Sequence, residues 1–323
     1  MNINKVLLFF KLIRYKNLLI IGLTQIIIKF YLINKLLQKS YISDSTFALF
    51  VLATLLIAAA GYIINDIYDI EIDKINKPKK CIINNGINVL VAKKLYIILN
   101  IIGFVLGILV SINSAKHYFV LIFIYCIFSL WHYSKYIKRS FLIGNLQISF
   151  LIFLSILNVI LLETKSITLQ TNHSFNAIFT IIIYYAFFAF LLNLIREIIK
   201  DIEDQIGDKT ISSNTLIIKL GLEKTKIFIL ILIGIVFFGL TYFQYFQYSF
   251  LNTVFEHKII LWGVSNFSIY YIVFLQLLLL LKTYKVLMSK TKEDFSKISS
   301  YSKIIMLLGI FSIPIFTYIF LNL

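Results

Sequence analysis

Two acidic windows with the same spacing carry the residues best suited to chemistry: Asn65-Asp66-x-x-Asp69-x-x-x-Asp73 and Asp201-x-x-Asp204-x-x-x-Asp208. Of the 15 acidic residues in the chain, Asp66, Asp69, Glu71, Asp73, Glu197, Asp201, Glu203, Asp204 and Asp208 fall within them. At a helical advance of about 100° per residue, Asp66, Asp69 and Asp73 share a stripe roughly 60° wide; Asn65 extends it and Glu71 points elsewhere. Asp201 and Asp204 share a face with Glu197, while Gly207 leaves Asp208 open to a loop position. Two facing stripes of carboxylate oxygen are hard ligands, suited to magnesium bound by a few carboxylates together with waters and a substrate phosphate. Base lies beside the acid: Lys74, Lys77, Lys79 and Lys80 follow the first window, and Arg196, Lys200 and Lys209 interleave with the second. Such a mixture fits a metal diphosphate, whose charge on departure the metals stabilise. A merely solvated face does not require the same spacing twice. A cation transporter is the other reading, but transporters hold their ion near the bilayer midplane, whereas these acids stand at the ends of apolar runs and the mid-span polar residues Asn100, Gln147 and Asn158 are neutral.

The elements that position these windows are membrane helices. The chain is 60% hydrophobic and 14% charged, with a mean hydropathy of +0.90, whereas soluble domains are about a quarter charged. Apolar stretches long enough to cross a ~30 Å hydrocarbon core recur from end to end. They predict about nine helices, over 17–33, 46–65, 91–112, 117–132, 141–162, 175–195, 226–247, 259–281 and 301–321, in a single polytopic membrane domain covering 1–323. The first of these is expected to be a retained span and not a cleaved signal peptide, since no small-residue cleavage site follows it. The net charge of +16 is explained by topology, because most of the 31 Lys and Arg flank the N-terminus and the ends of spans two, four, six and eight. This places the N-terminus and both acidic windows in the cytoplasm, and no nucleic-acid role is needed. Cys81 and Cys126 offer neither a disulfide framework nor a zinc site, and the four histidines have no ligand-like spacing. No obligate protein partner is indicated. The windows cap spans two and six, which run in the same direction, as a parallel pseudo-repeat of helices one to four and five to eight would arrange them.

Asn65-Asp-Ile-Tyr-Asp-Ile-Glu-Ile-Asp-Lys-Ile-Asn-Lys-Pro78, followed by Gly86, resembles the first signature of the UbiA superfamily of intramembrane prenyltransferases. Arg196-Glu-Ile-Ile-Lys-Asp-Ile-Glu-Asp-Gln-Ile-Gly-Asp-Lys209, followed by Thr215-Leu216 and Gly221, resembles the second, and Tyr133-Ser-Lys-Tyr-Ile-Lys-Arg139 with Gly144-Asn145 is similar to the segment joining helices four and five. The resemblance implies an all-α membrane fold of nine helices around a central cavity under cytoplasmic cap loops. It also implies two Mg2+ ions holding a prenyl diphosphate donor, whose departure leaves an allylic cation for an acceptor to capture. On that basis Asn65, Asp66, Asp69 and Asp73 bind one metal, and Asp201, Asp204 and Asp208 the other. Lys138, Arg139, Arg196 and Lys200 contact the diphosphate, and Tyr133 shields the cation pocket. One departure concerns Lys80, which stands before Cys81-Ile82 where the family often has Arg; it keeps the charge but not the bidentate fork.

The second signature is most similar to that of the branch whose acceptor is a glycerol phosphate ether lipid. This implies geranylgeranyl transfer to the hydroxyl of geranylgeranylglycerol phosphate, with prenylation of an aromatic quinone precursor such as 4-hydroxybenzoate or a dihydroxynaphthoate as the alternative. Arg14 and Lys16 beside Asn17, at the start of span one, suit an anionic headgroup, and Arg14 and Asn17 join the expected substrate contacts. Membrane lipid surrounds the site. Tyr62 and Tyr68 flank the first window and are the aromatic faces best placed to meet a cation.

Overall fold

The computed structural model describes residues 3–37, 40–76, 81–84, 86–164, 173–210, 213–254 and 265–322; the expected contact residue Lys80 and its neighbours Lys77 and Lys79 lie outside them. Nine helices among the described residues are long and apolar enough to cross a membrane. They are α1 (Tyr15–Leu36), α2 (Asp44–Tyr68), α3 (Val89–Asn113), α4 (Tyr118–Ile137), α5 (Ile143–Glu163), α6 (Phe175–Thr210), α7 (Leu216–Tyr245), α8 (Asn266–Met288) and α9 (Lys292–Leu321). No β-strand occurs among the described residues; an isolated bridge joins Ile83 to Ile87.

The number of spans matches the hydropathy pattern, while the bounds of four helices depart from it, the seventh starting at Leu216 and not at 226. The sixth helix does not stop at 195 but continues to Thr210, so the second acidic window is helical throughout and Asp208 is not on a loop. The eighth runs Asn266–Met288, past the expected end at 281, which brings Lys282 inside the helix; residues 259–264 of the expected span lie outside the described residues. The ninth begins at Lys292, well before 301. Its early start has a local cause: Thr291 caps the helix, its Oγ1 accepting from the Asp294 amide at 3.3 Å while Asp294 Oδ2 accepts from the Thr291 amide at 3.0 Å. The charges of that first turn lower the hydropathy and hide the helix.

The chain divides into two compact units. The first comprises Met1–Leu23, Ile42–Leu151 and Asp204–Lys219. Its main contact is α2 against α3, and Gly103 allows their close approach, since a Cβ there would lie 2.8 Å from Ile57 Cγ1. Leu12 and Ile13, at the end of the short N-terminal helix Ile3–Leu12, share a buried cluster with Leu18, Ala59, Ile63, Ile83 and Ala92. This cluster seats Arg14 beside the end of α2.

The second unit comprises Thr24–Tyr41, Ile152–Glu203 and Leu220–Leu323. There α8 packs on α9, and the Tyr271 hydroxyl donates to the Leu308 carbonyl at 2.8 Å. A fully buried ion pair joins Lys29, in a π-helical stretch of α1 over Ile28–Ile33, to Glu163 at the end of α5. The second carboxylate oxygen of Glu163 also accepts from the Tyr41 amide at 2.9 Å.

Candidate functional site

In the first unit, α2 ends at Tyr68 and Asp69 is its C-cap, with φ −95° and ψ 1°. The short helix Ile70–Asn76 follows. The first window is therefore not one unbroken helix, yet the Asp69 amide donates to the Asn65 carbonyl at 3.0 Å and the Asp73 amide to the Asp69 carbonyl at 2.8 Å, which keeps the stripe in register across the bend. Asp69 is buried, 5% exposed. Its Oδ2 accepts from Asn65 Nδ2 at 2.9 Å and from Lys138 Nζ. Asp66 Oδ1 accepts from Arg14 Nη2 at 2.6 Å, and the same guanidinium stands 5.0 Å over the Tyr62 ring. Arg14 holds a left-handed backbone, φ 51°, between the N-terminal helix and α1, a conformation a bulky residue keeps only when its surroundings enforce it. Glu71 is exposed and pairs with Lys74 at 2.8 Å, away from this group.

Lys138 reaches Asp69 through a local irregularity. The end of α4 over Tyr133–Ile137 is π-helical, and the Lys138 amide donates to the Tyr133 carbonyl at 2.9 Å, five residues back. The wider turn redirects the residue that follows it, a common use of such turns at functional sites. Burial alone would lower the Lys138 ammonium, but the charge and hydrogen bond of Asp69 outweigh it and hold the group above its ordinary value. Arg14 is treated likewise: burial opposes its charge, and Asp66 more than offsets it. Burial raises the nearby Cys81 thiol, with Asp73 and Asp66 adding to the rise.

The second window enters the same unit at Asp204. Asn76 Nδ2 donates to the Asp204 carbonyl at 2.8 Å, and its Oδ1 accepts from the Gly207 amide at 2.8 Å. A Cβ on Gly207 would fall within 2.8 Å of Asn76 Cγ, so glycine is what allows the approach. The residue that weakens a helix in sequence terms is thus the contact point between the two windows. The charges felt by the Asp208 carboxylate are those of Lys138, Asp204, Asp69 and Arg139, and those felt by Lys138 include Asp69, Arg14 and Asp73. Arg139 is tied in by its carbonyl, which accepts from the Asn214 amide at 2.8 Å. Asn17 is anchored by its amide to the Arg14 carbonyl at 2.8 Å, one turn from the Arg14–Asp66 pair. Asn76 was missed as a positioning residue by sequence reasoning, because its partners are distant in the chain.

The second unit holds Arg196, Glu197, Lys200 and Asp201 on α6. Arg196 Nη1 donates to Glu197 Oε1 and Lys200 Nζ to Glu197 Oε2, both at 2.7 Å. Lys282, on α8, is completely buried and its charge is in reach of Arg196. Spacing gave no sign of it, since the hydropathy pattern put it past the end of its helix.

Among the described residues, no three carboxylate, imidazole or thiol groups converge as a ready-made metal cage. The donor set of the first unit nevertheless suits magnesium. All its ligand atoms are hard oxygens, Asn65 Oδ1 is buried and accepts no hydrogen bond among the described residues, and Asp66 and Asp69 are each paired with a cation. Magnesium is ordinarily held by one or two carboxylates with substrate phosphate completing its shell, so an all-protein cage is not required.

Residues 32–304 match the UbiA prenyltransferase family. A digeranylgeranylglyceryl phosphate synthase of Sulfurisphaera tokodaii is 36% identical over 182 residues, 55% of this chain and 60% of that protein, so the matched stretch spans about three fifths of that relative. A solved structure of a digeranylgeranylglyceryl phosphate synthase in membranes is 26% identical, with a TM-score of 0.62, covering 97% of this chain and 98% of that one. The fold is also that of a homologue from Archaeoglobus fulgidus solved with GPP and Mg2+, at 15% identity and a TM-score of 0.55, over 95% of this chain and 99% of that one.

Proposed function

Because the chain belongs to the UbiA prenyltransferase family, we propose that it transfers a prenyl group from its diphosphate to the hydroxyl of a phosphorylated glycerol ether lipid, geranylgeranylglycerol phosphate, with geranylgeranyl as the transferred group. The observation that carries this reading is the charge arrangement of the first unit, where Asp66 and Asp69 are each held by a cation, Arg14 and Lys138, beside Asp73, Asp204, Asp208 and Arg139. Such a site supplies both ligands for metal and donors for diphosphate oxygens. Asn65, Asp66, Asp69 and Asp73 would hold one magnesium, and Asp201, Asp204 and Asp208 are the ligands for a second; bound there, magnesium neutralises the diphosphate and favours its departure.

Arg14, Lys138 and Arg139 donate to the diphosphate oxygens and keep that end of the donor fixed, the role cations play wherever phosphate charge must be balanced. The C1–O bond breaks with its electron pair leaving on the diphosphate, the acceptor oxygen bonds to C1, and the hydroxyl proton is lost. Tyr133, on the π-helical turn beside Lys138, is the aromatic group we assign to shield the allylic cation. Tyr62 is less suited, because Arg14 already covers its face. The N-terminus and both acidic windows face the cytoplasm in this reading, as the basic flanks require. The name of the Sulfurisphaera relative and the phosphate-compatible cations support the ether-lipid acceptor over an aromatic one.

The test is to offer purified protein labelled geranylgeranyl diphosphate with geranylgeranylglycerol phosphate, 4-hydroxybenzoate or 1,4-dihydroxy-2-naphthoate. Prenylated ether lipid is the expected product, and an aromatic product alone would overturn the acceptor. Asp69→Ala should abolish magnesium-dependent diphosphate release while the helical circular dichroism is unchanged; full turnover by this variant would remove the metal assignment.

A further inference from the structure

Lys29 and Lys282 are both completely buried. Their surroundings differ. Lys29 is paired with Glu163. Lys282 Nζ has no hydrogen-bond partner among the described residues. It lies on the inward stripe of α8 with Ile272, Leu275, Leu279 and Val286, all buried. A lysine near a helix end normally snorkels its ammonium toward water, and this one does not. The charge that acts on it is the Arg196 guanidinium, of the same sign, and no carboxylate among the described residues opposes it. Arg196 has spare capacity of its own: one amino group is on Glu197, and Nε is buried without a hydrogen-bond partner among the described residues. Glu197 accepts from Arg196 with one oxygen and from Lys200 with the other.

Lys282 Nζ and Arg196 Nε, two buried donors on like charges in the second unit with no hydrogen-bond partner among the described residues, form half of a site whose other half is an anion. An anion that accepts from both meets two cations, which favours a phosphoryl group carrying close to two negative charges over a single carboxylate. We propose that Lys282 and Arg196 form a phosphoryl-binding pair that takes the phosphate end of a substrate. Naming phosphate as the anion rests on the prenyl-transfer reading, which offers two sources with this chemistry, the donor diphosphate and the acceptor phosphate monoester. Lys contributes a rotatable point charge and Arg a directed Nε–H, a combination that can follow a tetrahedral oxyanion.

The experiment uses the full chain in detergent with Lys282→Met, which keeps the stem and removes the charge, and Lys282→Arg, which restores it. With geranylgeranyl diphosphate and geranylgeranylglycerol phosphate varied separately, Lys282→Met should raise KM for one of them by about tenfold with little change in kcat, and Lys282→Arg should recover most of the loss. A rise for the acceptor alone assigns the pair to the phosphate monoester, and a rise for the donor alone assigns it to the diphosphate. Independently of turnover, inorganic phosphate or pyrophosphate should raise Tm of the wild type more than that of Lys282→Met. Unchanged KM values together with equal anion-dependent shifts overturn the proposal. If the wild type consumes no prenyl diphosphate but the anion-dependent shift is still lost in Lys282→Met, prenyl transfer falls and the phosphoryl site stands.

Discussion

Asp69 shows how one carboxylate is prepared for use. It is buried, its Oδ2 accepts from Asn65 Nδ2, and the same oxygen meets the Lys138 ammonium. Replacing Lys138 with Met should lower kcat/KM for diphosphate release about 100-fold, equivalent to about 2.7 kcal/mol of lost stabilisation. Steady-state kinetics checks this, and the far-ultraviolet spectrum should not change. The same pair has a pH signature. Folded Lys138 holds its proton more tightly than the unfolded chain does, so its contribution to stability is complete below the ordinary lysine value of about 10.4 and fades as pH rises through the higher folded value. Thermal melts of Lys138→Met should lack that alkaline loss. At this scale the sequence was informative about the aspartates, because composition concentrated acid where a membrane chain has little. Spacing could not show that Asn65 spends its amide on Asp69, or that Tyr62 is already covered by Arg14.

Elements bring these residues into range by departing from regularity. The bend at Asp69, the π turn before Lys138 and the glycine in α6 each occur where a side chain must be aimed. Asn76→Ala removes both hydrogen bonds that tie the first window to the second and should cost about 1–3 kcal/mol. Gly207→Ala pushes a methyl group into Asn76 and should lower Tm by a similar margin, with the double variant no worse than the sum of the singles, since the two act on one contact. Differential scanning calorimetry in detergent measures all three. Hydropathy found the nine helices because ~20 apolar residues are hard to mistake. It misplaced the end of α6 and the start of α9 because helices that project past the apolar zone carry charge, and a capping box such as Thr291–Asp294 is written in polar residues. The π turn was invisible to a pattern read at 3.6 residues per turn, and the Asn76 contact is non-local.

At the scale of the whole chain, basic flanks and alternating spans predict a single orientation. Ser114, in the connection after α3, should accept an impermeant maleimide from outside intact cells when changed to Cys, and native Cys81 should react only after permeabilisation; the reverse pattern would invert the topology. The basis for that expectation was legible because it is a count of Lys and Arg, not a set of contacts. The interior charges were not, since Lys29 and Lys282 look like flanking lysines until their helices are placed. The Lys29–Glu163 pair has a consequence for how the chain is made. Its partners are 134 residues apart. At a synthesis rate of about 5–20 residues per second, roughly ten seconds pass between their appearance. During that interval the first span sits in the bilayer with an unmatched ammonium, held by its long stem toward the interface, until the fifth span arrives with the carboxylate and commits both helices to one another.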